Sequence, residues 1–184
     1  MNKRNLSVSI AGLGIGLNIV LALLGKNLKI PFLFLDTVGT ILTGALLGPI
    51  YGGLTGLITN CLTAIVNNPV ELPFAIVNMA IGIIVGLIAK KFGFSLKVAI
   101  ITGIILSIVA PLIGTPIAVY VFGGLGGSSL DILTGWLVKT GQKLFTAAFI
   151  PRILSNLIDK IGSCVIVSII LMKLPGNLKR TLKN

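Results

Sequence analysis

The sequence predicts an all-α integral membrane protein, a six-helix transmembrane bundle with a long amphipathic or re-entrant outer segment before the last helix. Of its 184 residues, 55% are hydrophobic and only 10% are charged, whereas about a quarter of a typical soluble domain is charged. Several apolar stretches also approach the ~20 residues that a helix needs to cross ~30 Å of hydrocarbon. We expect the whole chain, 1–184, to form a single transmembrane domain.

Short polar or proline-containing breaks separate six apolar stretches. Lys26 to Pro31 forms the first break, since proline disfavours helix at the residue before it. Gly48-Pro49 predicts a sharp turn, and Asn67 to Pro69 ends the third stretch. Pro111 and Pro116 lie inside the fifth stretch, where we expect a kink or break. The predicted spans are 6–25, 32–47, 50–66, 72–89, 96–122 and 153–174.

The segment from Leu130 to Phe149 is amphipathic rather than uniformly apolar. It follows a glycine-rich stretch, Gly123 to Ser129, that predicts a flexible loop. One helical face is apolar, while Asp131, Lys139 and Lys143 are polar. The apolar face consists of Leu130, Leu133, Leu137, Leu144 and Ala148. If this segment spanned the membrane, the basic tail from Gly176 to Asn184 would lie outside. We therefore predict a helix on the outer face or a re-entrant helix.

The basic residues indicate the orientation of the chain. The net charge is +11, but no basic patch with interleaved aromatic residues favours nucleic acid. Cations concentrate instead in the segments that six spans would place on one side, so both termini are expected in the cytoplasm. These inside cations are Lys3, Arg4, Lys90, Lys91, Lys97, Lys173, Lys179, Arg180 and Lys183.

Polar side chains concentrate at the opposite, outer ends of the spans. Polar groups within a membrane are costly and usually face a cavity or a partner, so their clustering predicts an outward-opening pocket for a polar small molecule. The candidate binding residues are Asp36, Asn60, Asn67, Asn78, Asp131, Trp136, Gln142 and Asn156.

Structural roles are alternatives for many of these candidates. Asparagines in membrane helices often bond to neighbouring helices, and Asp36 could cap the second span. Asp131 is also a helix-start signal, and Trp136 could anchor the chain at the interface. Asp159 lies close to Arg152 in the sequence and beside Lys160, which favours a structural ion pair.

Pairs of small residues four positions apart occur on three spans. Gly12 with Gly16, and Ser7 with Ala11, would allow another backbone to approach the first span closely. Two further pairs favour packing within the monomer. These pairs are Gly52 with Gly56, and Gly82 with Gly86.

Sequence features of common enzymes are missing. There is no GxxxxGK[ST] phosphate loop, and without histidine no Ser-His or Cys-His pair can form. Cys61 and Cys164 lie in apolar stretches, and the few acidic residues are scattered. We therefore expect no catalysis, no cofactor and no metal site.

Three segments resemble the S-components of energy-coupling factor (ECF) transporters. They are "PFLFLDTVGTILTGALLGPIYGGLTGLITN" (31–60), "NPVELPFAIVNMAIGIIVGLIAKK" (68–91) and "NLIDKIGSCVIVSIILMKLP" (156–175). The resemblance covers nearly the whole chain. It rests on patterns of glycine, proline and small residues, including the Gly-Pro turn.

The resemblance implies a substrate-binding subunit rather than a complete transporter. Such a subunit binds a vitamin-type nutrient at its outer side and works with a transmembrane T-component and two cytoplasmic ATPases. It topples in the membrane to release the nutrient inside. The first helix would contact the T-component, here through Ser7, Ala11, Gly12 and Gly16.

The substrate and the competing functions stay open at this level. The stretch "LDTVGT" and the outer segment before the last span resemble the branch for pyridoxine or hydroxymethylpyrimidine. The alternative is an accessory or structural membrane protein whose outer polar groups pair only with one another. A channel or secondary carrier is less compatible with the apolar inner halves of the spans.

Overall fold

The computed structural model describes residues 3–27, 34–124 and 130–175. Within these ranges the regular structure is helical. The first break (26–31), the glycine-rich loop (123–129) and the basic tail lie wholly or mostly outside the described residues. The helices are α1 (Lys3–Asn27), α2 (Val38–Leu47), α3 (Pro49–Val66), α4 (Ala75–Phe92), α5 (Leu96–Phe122), α6 (Asp131–Lys139) and α7 (Leu144–Lys173), with a 3₁₀ turn at Pro69–Glu71.

Five of these helices are long and apolar enough to cross a membrane: α1, α3, α4, α5 and α7. Helix α2 has only 10 residues, which at 1.5 Å per residue is about half of the ~30 Å hydrocarbon layer. A sixth full-length span over 32–47 is therefore not confirmed. Helix begins only at Val38. Leu35 has a φ of +55°, which lies outside the right-handed helical region, and Asp159 accepts the backbone N–H groups of Phe34 and Leu35 in this non-helical segment.

The amphipathic segment 130–149 was wrongly predicted as one helix. Helix α6 ends at Lys139, and Gly141 adopts a φ of +91°, a value that glycine adopts without strain. Helix α7 begins three residues later, so the last residues of the predicted amphipathic helix form the first turns of α7. A re-entrant position for α6 remains a prediction.

The predicted turn at Gly48-Pro49 and the predicted end of the third apolar stretch at Asn67 are confirmed. Gly48 has a φ of +91° and Pro49 is the first residue of α3, as the Gly-Pro pair predicts. Helix α3 ends at Val66 with Asn67 as its C-cap. In contrast, α5 continues through both of its prolines, so of the kink or break predicted there the break was wrong, and the kink stays a prediction.

Glycines bring α3 and α4 into backbone contact. A methyl group on Gly52 would meet the Gly82 carbonyl oxygen at 2.6 Å, and one on Gly82 would overlap the backbone of Gly52. Gly56 similarly faces the backbone of Asn78, and Gly86 faces Pro49. The interpretation that these glycines pack the monomer is confirmed.

The remaining helices complete a bundle around a small apolar core. Helix α5 packs along α7, α1 packs on α2 and α3, and α2 packs against α4 and α7. The core includes Val38, Ile41, Ile81, Val85, Leu106 and Val167. Large side chains such as Leu13 and Ile65 point outward, as expected where hydrocarbon surrounds the helices.

We expect Gly82→Ala to destabilise the bundle. The added methyl overlaps the backbone of Gly52, and relieving such overpacking costs about 1–3 kcal/mol. Thermal unfolding of detergent-purified protein measures the effect. Gly12→Ala is the matched control, because a methyl there meets no atom within 4 Å. Equal melting temperatures for the two variants would contradict the proposed helix contact.

Candidate functional site

A cavity lies at the end of the bundle where α3 ends and α4 begins. Its volume is about 190 Å³, roughly the space of six water molecules at ~30 Å³ each. The polar wall residues are Asp36, Thr37, Asn60, Glu71, Asn78, Arg152, Asn156 and Lys160. The other wall residues are Phe34, Val70, Phe74, Val77, Ile81, Ala110, Pro111, Gly114 and Leu130.

Four of the predicted binding residues meet in this wall. Asp36 precedes α2, Asn60 lies near the end of α3, Asn78 lies on the first turn of α4 and Asn156 lies on α7. They are far apart in sequence, and the folding of four separate segments brings them around one cavity. They supply four of the eight polar residues in the wall.

The other four candidates do not line the cavity. Asn67 and Gln142 are exposed at helix ends. Trp136 is 62% exposed on α6, beside an apolar groove between α6 and α7. Asp131 is the first residue of α6, which agrees with its interpretation as a helix-start signal.

A buried lysine joins two acidic residues at one side of the cavity. Lys160 Nζ lies 2.5 Å from Asp159 Oδ2 and 3.4 Å from Asp36 Oδ1. It also donates to Thr37 Oγ1 at 3.0 Å. Asp159 and Lys160 therefore form the expected structural ion pair, and Asp36 uses Lys160 as its partner instead of capping α2 with its side chain.

The same aspartate fixes the chain segment that enters α2. Asp159 Oδ1 accepts backbone N–H groups from Phe34 at 2.9 Å and from Leu35 at 2.8 Å. Leu35 has a φ of +55°, a conformation that costs most non-glycine residues about 1 kcal/mol or more. The two charge-assisted bonds offset this cost and hold Asp36 at the cavity.

Side-chain amides line the opposite wall. Asn78 Nδ2 donates to Asn60 Oδ1 at 2.7 Å. Asn60 Nδ2 donates in turn to the backbone oxygen of Glu71 at 3.2 Å and to its Oε2 at 3.3 Å. Asn78 Oδ1 is buried and has no hydrogen-bond partner within the described part of the chain. Buried polar atoms of this kind call for a specific explanation, such as a ligand.

Helix α7 presents a polar face to the cavity. Arg152, Asn156 and Lys160 lie four positions apart, and side chains at this spacing share one face of a helix. Arg152 Nη1 donates to the Ala148 carbonyl at 2.8 Å, and Asn156 Nδ2 donates to the Arg152 carbonyl at 2.8 Å. Arg152 and Lys160 thus join the acidic residues Asp36 and Glu71 in the cavity wall.

Sequence reasoning missed several of these polar residues. Arg152 and Lys160 were considered only as ion-pair partners, although their spacing with Asn156 was a usable signal. Asn18, at 0% exposure, was also missed. It donates to Thr40 and Thr59 and accepts from Gly39 N, joining α1 to α2 and α3. A lone asparagine in an apolar helix does not reveal its partners.

The candidate contact residues of α1 face in different directions. Ser7 is buried and Ala11 is half-buried. Gly12 and Gly16 are exposed, and a methyl group on either would meet no atom within 4 Å. Of these four candidates, the two glycines are therefore the exposed ones.

Comparison with known protein families gave a match. The model of a family described as "ECF transporter, substrate-specific component" matches residues 7–171. No curated protein and no solved structure matched. The matched range runs from the second turn of α1 to near the end of α7 and contains every residue of the cavity wall.

We expect Asp159→Asn to destabilise the fold strongly. The change leaves Lys160 with only the more distant Asp36 and weakens the bonds to the segment before α2. Removing one partner of a buried ion pair typically costs about 3–5 kcal/mol. Thermal unfolding in lipid nanodiscs measures the loss. Asp36→Asn is the control: its side chain is 45% exposed, so a larger loss there would contradict the anchoring role of Asp159.

Proposed function

The chain belongs to the substrate-specific components of ECF transporters, and from this premise we propose that it captures a small water-soluble vitamin or related micronutrient in the cavity. Members of this family are substrate-binding subunits of transporters and not enzymes. They work in the membrane with a T-component and ATPases. The family and the apolar helices together make this a multi-pass membrane protein.

The cavity is proposed to open to the outside of a bacterial cell. Helix α4 begins at the cavity and ends with Lys90 and Lys91, and Lys97 follows at the start of α5. These cations lie at the opposite end of the bundle, which the positive-inside rule assigns to the cytoplasm. In this orientation both termini are cytoplasmic, α2 with its preceding segment makes the sixth crossing, and α6 lies at the outer face.

The observation that carries the proposal is Asn78, a residue of the cavity wall whose buried Oδ1 has no hydrogen-bond partner among the described residues. Around it are donors and acceptors from α3, α4 and α7, together with aromatic surface from Phe34 and Phe74. Such a mixture of apolar lining and a few oriented polar groups is typical of small-molecule sites. The volume of about 190 Å³ favours a single-ring solute.

Pyridoxine or hydroxymethylpyrimidine is our proposed substrate. Either has an aromatic ring for Phe34 or Phe74 and hydroxyl or amino groups for Asp36 and Asn78. Tyr120 and Trp136 are mostly exposed and lie outside the wall, so we do not propose that either stacks on the solute. We propose that the bound solute is released inside when the subunit topples within the complete transporter.

A non-binding accessory role is the second candidate. The observation that favours it is the mutual pairing of Asp36, Lys160 and Asp159, which needs no solute. The unpaired oxygen of Asn78 favours capture instead, because a purely structural cluster would be expected to pair it.

We expect a vitamin-sized molecule to co-purify with the protein from cells grown in rich medium, as detected by native mass spectrometry. Asn78→Ala should weaken binding of that molecule at least about tenfold, since an unmatched buried donor costs about 1–3 kcal/mol. Asn67→Ala is the control, because Asn67 lies outside the cavity wall. Protein free of small molecules, and unresponsive to a vitamin panel in a thermal-shift assay, would favour the accessory role.

We expect Gly12→Leu with Gly16→Leu to impair assembly with the T-component and to spare solute binding. Both glycines are open to the surroundings, and leucines there would keep another helix from approaching closely. Co-purification with the T-component and ATPases measures assembly, and calorimetry measures solute binding. Parallel loss of both properties would mean that the glycines serve the fold of the monomer.

A further inference from the structure

In a chain of hydrogen bonds in the cavity wall, the backbone oxygen of Glu71 determines which groups donate and which accept. Asn60 Nδ2 lies 3.2 Å from the backbone oxygen of Glu71 and 3.3 Å from its Oε2. A backbone carbonyl oxygen can only accept. Asn60 must therefore turn its NH₂ group toward Glu71, whether or not the glutamate side chain is protonated.

The orientation of the Asn60 amide also determines the orientation of the Asn78 amide. With its NH₂ group on Glu71, Asn60 offers Oδ1 to Asn78, which donates at 2.7 Å. Rotating only the Asn78 amide would place two carbonyl oxygens together. Rotating both amides would place Asn60 Oδ1 against the Glu71 carbonyl. Asn78 Oδ1 is thus fixed as an acceptor, and no described residue donates to it.

We propose that this relay of Glu71, Asn60 and Asn78 makes the cavity select solutes that bring an N–H or O–H donor to Asn78. A solute that brings an acceptor to the same place is rejected, since two buried acceptors would face each other. Asn78 contacts the solute, whereas Asn60 and Glu71 are positioning residues. The inference rests on the proposed capture function and specifies its substrate class: small rings with an amino, hydroxyl or ring N–H donor.

Donor-methylated analogues test the proposal. The probes are pyridoxine and 4-amino-5-hydroxymethyl-2-methylpyrimidine, each compared with analogues in which one N–H or O–H donor at a time carries methyl groups. Calorimetry gives the affinities. In the wild type, at least one methylation should weaken binding about tenfold or more, the usual effect of an unsatisfied buried polar group.

The variant Asn60→Leu separates hydrogen-bond direction from size. Without Asn60, the Asn78 amide can rotate and offer NH₂, so the affinity ratio of parent to methylated analogue should fall at least about threefold. A purely steric penalty would leave the ratio unchanged and would overturn the proposal. Thr63→Val is the matched control: Thr63 is also on α3, bonds to the Thr59 carbonyl and lies outside the cavity wall. It should keep the wild-type ratio.

Failure of solute capture can be distinguished from failure of the relay. If neither parent compound nor any other vitamin-sized solute binds, the capture function fails. The relay is then tested by NMR of the ¹⁵N-labelled asparagine side chains in nanodiscs. The Asn60 NH₂ protons should be close to Glu71, and the Asn78 NH₂ protons close to Asn60. The reverse pattern would overturn the relay.

Discussion

The buried carboxylate of Asp159 is the contact on which the cavity side of the bundle depends. In an apolar environment, an unpaired backbone N–H group costs several kcal/mol, so a non-helical segment needs partners. Asp159 supplies them to Phe34 and Leu35 and also neutralises Lys160. One side chain of α7 thereby delays the start of α2, places Asp36 in the cavity wall and holds the lysine that Asp36 contacts.

The opposite wall depends on close helix packing rather than on charge. Because Gly52 and Gly82 have no side chains, α3 and α4 approach until their backbones touch. One turn further along, Gly56 lies against the backbone of Asn78. This separation is what allows Asn60 on α3 and Asn78 on α4 to form a direct bond at 2.7 Å. The glycine contacts and the polar wall are therefore parts of one arrangement.

The sequence predicted local features better than long-range ones. The Gly48-Pro49 turn and the end of α3 at Asn67 follow from neighbouring residues, and the glycine pairs indicated helix packing. Polar groups in apolar segments are exceptional, and this feature identified four candidate binding residues that line the cavity: Asp36, Asn60, Asn78 and Asn156. The start of α2 could not be predicted, since it depends on Asp159, which lies 125 positions from Phe34.

The missed and misplaced residues have a common explanation. Arg152 and Lys160 were missed as wall residues because a charge beside an opposite charge already has a structural explanation. Trp136 and Gln142 were predicted to bind substrate because they lie in an outer segment, but Gly141 turns the chain there and neither side chain lines the cavity. Position along the chain grouped these residues at one end of the bundle without indicating which side chains line the cavity.

The two walls make different demands on a bound solute under the proposed function. On the α7 side, the formal charges of Lys160 and Arg152 balance those of Asp159 and Asp36, so this side carries no net charge. A solute therefore needs no charge of its own, and the desolvation of a charged solute would be poorly offset. On the α3 and α4 side, the unpaired acceptor of Asn78 can be satisfied only by a donor. Selectivity would then arise from the neutral amides, while the charged residues hold the cavity in shape.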